Sequence, residues 1–246
     1  MLLSVKDLSV AIESKTILNN LSLDINEGEV HAIMGPNGSG KSTFSNVLAG
    51  KEEYEILQGE IEFNGNNLFD LNIEERSIEG LFLAFQYPVE VPGVTITPFL
   101  QAAINSRLKA QGEGEVDALK FAKNLRESAN QLGFSTEMLK RSVNEGFSGG
   151  EKKRFEILQM SILNPKLSIL DETDSGLDVD AFKIVTKGIN NLKNGKSSFL
   201  IITHYERLLN HIVPDYVHVM VDGKIIKTGD KSIAEYIEQN GYYNFF

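Results

Sequence analysis

Gly35-Pro36-Asn37-Gly38-Ser39-Gly40-Lys41-Ser42-Thr43 fits the pattern G-x-x-x-x-G-K-[ST] in full. A loop that cradles phosphate must turn backbone N–H groups inward, and glycine permits the angles this takes. Lys41 then reaches the β- and γ-phosphates, and Ser42 offers a hydroxyl to Mg²⁺. The flanks agree. Val30-His31-Ala32-Ile33-Met34 reads as a short buried strand entering the loop. Thr43-Phe44-Ser45-Asn46-Val47-Leu48-Ala49 reads as a helix leaving it, with its positive end toward the phosphates. A nucleoside triphosphate site is therefore predicted on Gly35, Pro36, Asn37, Gly38, Ser39, Gly40, Lys41, Ser42 and Thr43.

At 246 residues with 41% hydrophobic content, the chain has the size of one large α/β domain with a sizeable core. Its net charge of −10, with no long basic stripe, argues against nucleic acid or an anionic membrane as main partner. No apolar run approaches the ~20 residues needed to span a bilayer. Met1-Leu2-Leu3-Ser4-Val5-Lys6-Asp7 lacks the basic start of a signal peptide, so a soluble cytoplasmic protein is the expectation. There is no cysteine, which excludes disulfides, thiolate metal sites and cysteine nucleophiles.

Strand-like runs from Leu2 to Val10 and Leu18 to Ile25 open the chain. Glu60-Ile61-Glu62-Phe63 leads into Asn64-Gly65, a hairpin signal, and Asp222-Gly223 is a second one between Val217–Val221 and Lys224–Ile226. Leu81-Phe82-Leu83-Ala84-Phe85 reads as a buried strand ending at Gln86. Residues 88–165 differ: prolines punctuate the entry, Phe99 to Ala110 can form a helix, and Ala118, Phe121, Ala122, Leu125, Ala129 and Leu132 recur at helical spacing. The core resumes with the strand Leu167–Leu170, a helix from Val179 to Leu192, and the strand Ser198–Ile202. A mostly parallel core sheet, attached antiparallel elements and an inserted helical subdomain follow from this alternation. The predicted division is 1–87 with 166–246 as nucleotide-binding core and 88–165 as the insertion.

Phosphoryl transfer to water needs a cradle, a metal, an oriented water and charge stabilisation at the γ-phosphate. Asp171 ends an apolar strand, as a metal-binding carboxylate does, and Glu172 beside it is placed to polarise water. His204 ends the next buried strand. Parallel strands bring their C-terminal ends to one edge, which puts His204 in reach of the γ-phosphate. Gln86, also at a strand end, is a candidate sensor of metal or water. His31, His211 and His218 sit in ordinary strand or helix patterns. Phe147-Ser148-Gly149-Gly150-Glu151-Lys152-Lys153-Arg154 opens a second helix whose start can bind anions and which Ser148 can cap.

In their order these motifs resemble the ABC ATPase family: P-loop, Gln, Ser-Gly-Gly signature, Walker B carboxylate, D-loop and His. The likeness covers nearly the whole chain. It implies a P-loop NTPase fold of ABC type, ATP and Mg²⁺ as ligands, metal contacts from Ser42, Gln86 and Asp171, and catalytic roles for Glu172, His204 and Gln86. It also implies that Ser148, Gly149 and Gly150 of one protomer close on nucleotide held by another, in a transient ATP-dependent dimer. Ser175-Gly176-Leu177-Asp178 matches the D-loop at that seam. Ile12 stands where the family often stacks an aromatic ring on adenine, so base selectivity is expected to be modest.

Several segments depart from the transporter pattern. The signature reads Phe147-Ser148-Gly149-Gly150-Glu151, Thr173-Asp174 follows the acidic pair, and Tyr205 follows His204. With Phe85-Gln86-Tyr87-Pro88-Val89-Glu90-Val91-Pro92-Gly93-Val94, this set resembles SufC-type ATPases of iron–sulfur cluster assembly. That resemblance implies SufB- and SufD-type scaffold partners, in cytoplasm or plastid stroma, with the cluster on the partner and this chain as motor. A chain without thiolates fits that division of labour. Three alternatives are the ATPase subunit of an ABC membrane transporter, a nucleic-acid-linked ABC protein, and a non-hydrolysing regulatory module. The family-specific segments oppose the first. One cassette and acidic charge oppose the second, and a full set of catalytic residue types opposes the third.

Overall fold

The computed structural model describes residues 1–245. Its elements run β1 (Leu3–Ile12), β2 (Lys15–Ile25), β3 (Val30–Met34), α1 (Lys41–Ala49), β4 (Glu55–Phe63), β5 (Asn66–Asn67), α2 (Ile73–Glu79), β6 (Leu81–Ala84), β7 (Val91–Thr95) and α3 (Ile96–Ala110). They continue with α4 (Ala118–Gln131), β8 (Ser142–Val143), α5 (Gly149–Leu163), β9 (Leu167–Asp171), α6 (Val179–Leu192), β10 (Ser198–Ile202), α7 (Glu206–His211), β11 (Tyr216–Val221), β12 (Lys224–Gly229) and α8 (Ser232–Asn240). The chain divides into two compact units. The first holds Met1–Leu83, Lys166–Thr173 and the chain from Lys193 on; the second holds Ala84–Pro165 and Asp174–Leu192.

The first unit carries a six-stranded sheet in the order β12-β11-β3-β10-β9-β6 and a four-stranded sheet in the order β2-β1-β4-β5. β3, β9, β10 and β11 are parallel to their neighbours among themselves, and β12 pairs antiparallel with β11. Every residue of β3, β9 and β10 is buried, which is why these strands are mostly apolar and show no polar–apolar alternation along their length. Register places the site. Ile33 lies opposite Ile202, and Ile202 opposite Asp171. The loop after Met34, the acidic pair at Asp171-Glu172 and the Thr203-His204 pair therefore leave one sheet edge together. Both sheets share a core that includes Leu3, Leu8, Leu21, Phe44, Phe63 and Leu200.

The two hairpin signals form turns with consecutive left-handed residues, Asn64 (φ 52°) with Gly65 (φ 83°) and Asp222 (φ 46°) with Gly223 (φ 75°). A third such turn joins β1 to β2 through Glu13 (φ 46°) and Ser14 (φ 67°). Neither residue type favours that geometry, so this hairpin gives no signal in the sequence.

The second unit is mostly helical, with a small antiparallel pair of β7 and β8. Phe134, Phe147 and Phe155 form its aromatic centre, with ring centroids 6.1–6.5 Å apart. The sequence reading assigns all of 166–246 to the core, whereas α6 groups with this unit. The reason is packing. Gly188 of α6 faces Ile157 of α5 so closely that a Cβ there would stand 2.7 Å from the isoleucine Cγ2. Two boundaries also move. α3 starts at Ile96 instead of Phe99, and β6 ends at Ala84, leaving Phe85 half exposed instead of in a buried strand.

Candidate functional site

Gly40 takes φ 103°, and a Cβ there would lie 2.8 Å from Leu18 Cδ2, so no other residue fits the step into α1. Lys41 is buried and bends back over the loop, donating to the carbonyls of Gly35 (2.8 Å) and Pro36 (3.0 Å). Burial lowers its pKa, while Glu172 and Asp171 pull the other way. The Ser39 hydroxyl is buried in the loop without a hydrogen-bond partner. An orphaned buried donor in a loop turned by Gly38 and Gly40, at the start of a helix, is what an anion cradle contains, so the residues fit a phosphate chain.

Ser42 Oγ donates to Asp171 Oδ1 at 3.3 Å, and Ser45 Oγ donates to Asp171 Oδ2 at 2.9 Å. Ser42 and Asp171 present hard oxygen donors side by side, which suits Mg²⁺, a cation that keeps several waters and takes few protein ligands. Among the described residues no group of three His, Cys, Asp or Glu could hold a metal by itself. Ser45 is absent from the sequence-level site. Its signal is its place one helical turn beyond Ser42, on the same face of α1.

Glu172 follows Asp171 with φ 47°, in the left-handed region, and its backbone N–H donates to the Ile202 carbonyl at 2.9 Å. That bond ties it to the neighbouring strand end. His204 Nδ1 lies 3.5 Å from Glu172 Oε1. The Tyr205 ring packs on the His204 imidazole with centroids 4.0 Å apart, and the Tyr205 N–H donates to Thr203 Oγ1 at 3.0 Å. Thus Lys41, Ser42, Asp171, Glu172 and His204 converge within the first unit. Ile12 is half-buried at the end of β1.

The other predicted residues belong to the second unit: Gln86, Ser148, Gly149, Gly150 and the Ser175–Asp178 loop. Ser148 and Glu151 form a reciprocal cap at the start of α5, with Glu151 Oε2 accepting from Ser148 N–H at 2.7 Å. No atom outside its local backbone lies within 4 Å of where a Gly149 Cβ would be, so this backbone is bare on its outer side. Asp178 caps α6 through the Ala181 N–H at 2.7 Å.

Further along α5, Lys153 and Glu156 are buried together, their charges 3.1 Å apart. Burial pushes the Glu156 carboxyl up to about 7, although Lys153 and the Phe85 backbone pull it down. A carboxyl raised in this way stabilises the fold fully below the ordinary value of 4.5, and the contribution is lost as pH rises through 7. Urea unfolding at pH 5 and pH 8 should show it as a loss of up to about 3 kcal/mol. Glu156→Gln should flatten that slope; an unchanged slope would assign it to other groups.

Two of the three histidines that sequence patterns leave ordinary, His31 and His218, form a chain across the sheet. His31 Nδ1 and His218 Nε2 are 2.9 Å apart, His31 Nε2 is 3.0 Å from Glu29 Oε2, and His218 Nδ1 is 2.8 Å from Thr228 Oγ1. Burial and the adjacent His31 hold His218 down at about 4. Glu29 is also buried in part, but hydrogen bonds from Asn26 and His31 outweigh that and lower its pKa. A cavity of about 350 Å³ opens beside this chain, lined in part by Asp24, Glu29, His31 and Tyr216. It lies at the end of β3 remote from the P-loop, and the convergent residues above are not part of it.

The family model described as ABC transporter matches residues 18–175. The chain belongs to the ABC ATPase family and hydrolyses ATP. Within that family its likeness is to the SufC group: "Probable ATP-dependent transporter SufC" of Escherichia coli (strain K12) is 54% identical over 98% of this chain and 97% of its own length. "ABC transporter I family member 6, chloroplastic" of Arabidopsis thaliana is 52% identical over 98% of this chain and 72% of its own. Among solved structures, a dimeric ATP-binding cassette in a post-hydrolysis state with ADP and phosphate superposes with TM-score 0.76 at 20% identity, over 94% of this chain and 99% of that one.

Proposed function

We propose that this ATPase is the motor subunit of an iron–sulfur cluster assembly complex, and that ATP-dependent pairing of two copies drives conformational change in a SufB/SufD-type scaffold. The observation that carries the reading is full-length likeness to a SufC-named relative. The absence of cysteine supports it, since the cluster then belongs to a partner. The reading places the complex in the cytoplasm or in plastid stroma.

In this reading residues 1–246 act as one ATPase domain. The P-loop N–H groups and Lys41 hold the phosphates, and Ser42, Asp171 and Gln86 hold Mg²⁺. The metal, when bound, supplies charge neutralisation at the β- and γ-phosphate oxygens. Glu172 orients and polarises the attacking water, whose oxygen bonds to the γ-phosphorus as the bond to the β,γ-bridging oxygen breaks. His204 donates to the γ-phosphate and meets Glu172 on the same edge. Ser148, Gly149 and Gly150 complete the site on the partner copy.

Tyr87 is 81% and Val89 69% exposed, and Val94 is exposed beside them. These apolar side chains follow Gln86 directly, and we place the scaffold contact on residues 87–109. Pull-down of a SufB/SufD-type scaffold with Tyr87→Asp, Val91→Asp and Val94→Asp variants tests it. Capture should fall at least about tenfold while the fold stays intact, as expected when apolar anchors at an interface centre are lost. Undiminished capture would move the contact elsewhere.

A second reading is the ATPase subunit of a membrane transporter, which the relatives' printed names favour. Among the described residues no helix is long and apolar enough to cross a membrane, so a transporter would need a separate permease. Co-purification separates the two readings: a soluble scaffold supports the first, and an integral membrane protein overturns it.

A further inference from the structure

Helix α5 carries two charges where a helix core ordinarily carries apolar residues. Lys153 is 4% exposed and Glu156 2% exposed. Their 3.1 Å contact is an (i, i+3) pair on the inner face of the helix. Taking two charges out of water costs more than the pair returns in many proteins, so stability alone is a poor reason to keep them. What the pair also does is visible in its third partner. Lys153 Nζ donates to the carbonyl of Phe85, the residue just before Gln86.

The segment it grips lies outside regular structure. β6 has ended at Ala84, and the Phe85, Tyr87 and Val89 side chains are exposed, so apolar packing does not fix its register. Polar contacts reach it from α5 and from Asn144, just after β8. Besides Lys153, Asn144 Nδ2 donates to the Val89 carbonyl at 2.7 Å, and Lys152 pairs with Glu90 at 2.8 Å. Lys153 and Asn144 are both buried, at 4% exposure, and of the three anchors Lys153 is the one whose contact adjoins Gln86. One ammonium thus lies 3.1 Å from the Glu156 carboxylate and donates to the Phe85 carbonyl, which links the inner face of α5 to the residue before Gln86.

We propose that Lys153 and Glu156 are positioning residues for ATP hydrolysis: a buried charge lock on the signature helix that sets Gln86 through the Phe85 carbonyl. The inference rests on the reading of Gln86 as a residue of the hydrolytic site. It assigns no contact with nucleotide to either charge.

The test is a double-mutant cycle on the full-length chain with MgATP. Removing one charge would strand the other in the interior and confuse positioning with unfolding, so the lock is removed whole, as Lys153→Met/Glu156→Leu. Replacing a buried ion pair by apolar residues of similar volume is often neutral or stabilising. The thermal midpoint should therefore hold or rise, while kcat falls at least about tenfold, since misplacing a catalytic group by an ångström costs up to about 10²-fold. KM for ATP should change less than about twofold, because the lock leaves the P-loop alone. Gln86→Ala should lower kcat by itself, and adding the lock substitutions to it should lower kcat no further. Lys153→Arg, which keeps a charge and donors, should recover part of the rate.

Losses that multiply in the combined variant, or a fall in kcat that only tracks a fall in thermal midpoint, would overturn the lock. Full turnover by Gln86→Ala would instead remove the reading of Gln86 on which the lock depends. The two failures are told apart by the Gln86 variant alone.

Discussion

Glu172→Gln is expected to bind ATP with wild-type affinity and to lose hydrolysis by about 10²–10⁴-fold, the range of a removed general base. The substitution keeps shape and a hydrogen-bonding oxygen but cannot take a proton. The backbone bond from residue 172 to Ile202 is untouched, so the sheet edge should stay in place. Single-turnover phosphate release, set beside equilibrium binding of a fluorescent ATP analogue, separates the two effects. Near-normal turnover would move water activation to another group. Lys41→Ala should differ by weakening binding and turnover together, because its ammonium is a charge partner of the phosphates in both ground and transition states.

Ser148→Arg should abolish ATP-dependent pairing of two copies. The bare backbone at Gly149 leaves room for an approaching nucleotide, and an arginine one residue earlier fills that approach with bulk. Glu172→Gln with MgATP supplies the trapped state, in which light scattering should report twice the monomer mass. Adding Ser148→Arg should return it to the monomer. Ser148 also caps α5, and losing a cap costs about 1 kcal/mol. Ser148→Asn, which can still cap, is the control and should fold like wild type. Pairing that survives the arginine would remove the trans site from the mechanism.

The nucleotide edge was legible because its chemistry is local. A P-loop is a contiguous pattern, and Asp171, Glu172 and His204 each directly follow a run of buried strand residues. Parallel pairing then brings those ends together with no further information. What escaped the sequence depends on partners far apart in the chain. His31 and His218 are unremarkable in their own strands, and only the pairing of β11 with β3 makes them neighbours. The burial of Lys153 and Glu156 has no signal in the sequence, since burial of a helix face is decided by what packs there. The Glu13-Ser14 turn breaks the residue preferences that reveal its two counterparts. α6 packs with the helical unit through close approaches such as those of Gly188 to Ile157 and Leu132, which spacing cannot disclose.

The left-handed backbone of Glu172 bears on how this enzyme responds to selection. Holding a side chain with a Cβ in that conformation costs roughly 1–3 kcal/mol, a sizeable part of the margin that keeps a domain folded. Asparagine or glycine would sit there with less strain. Heat, or any regime that rewards only persistence of the fold, therefore pulls this position away from glutamate, whereas a requirement for turnover pulls it back. Residue 172 marks a point where robustness and work are in direct competition, and a lineage released from the need to hydrolyse ATP should drift there early.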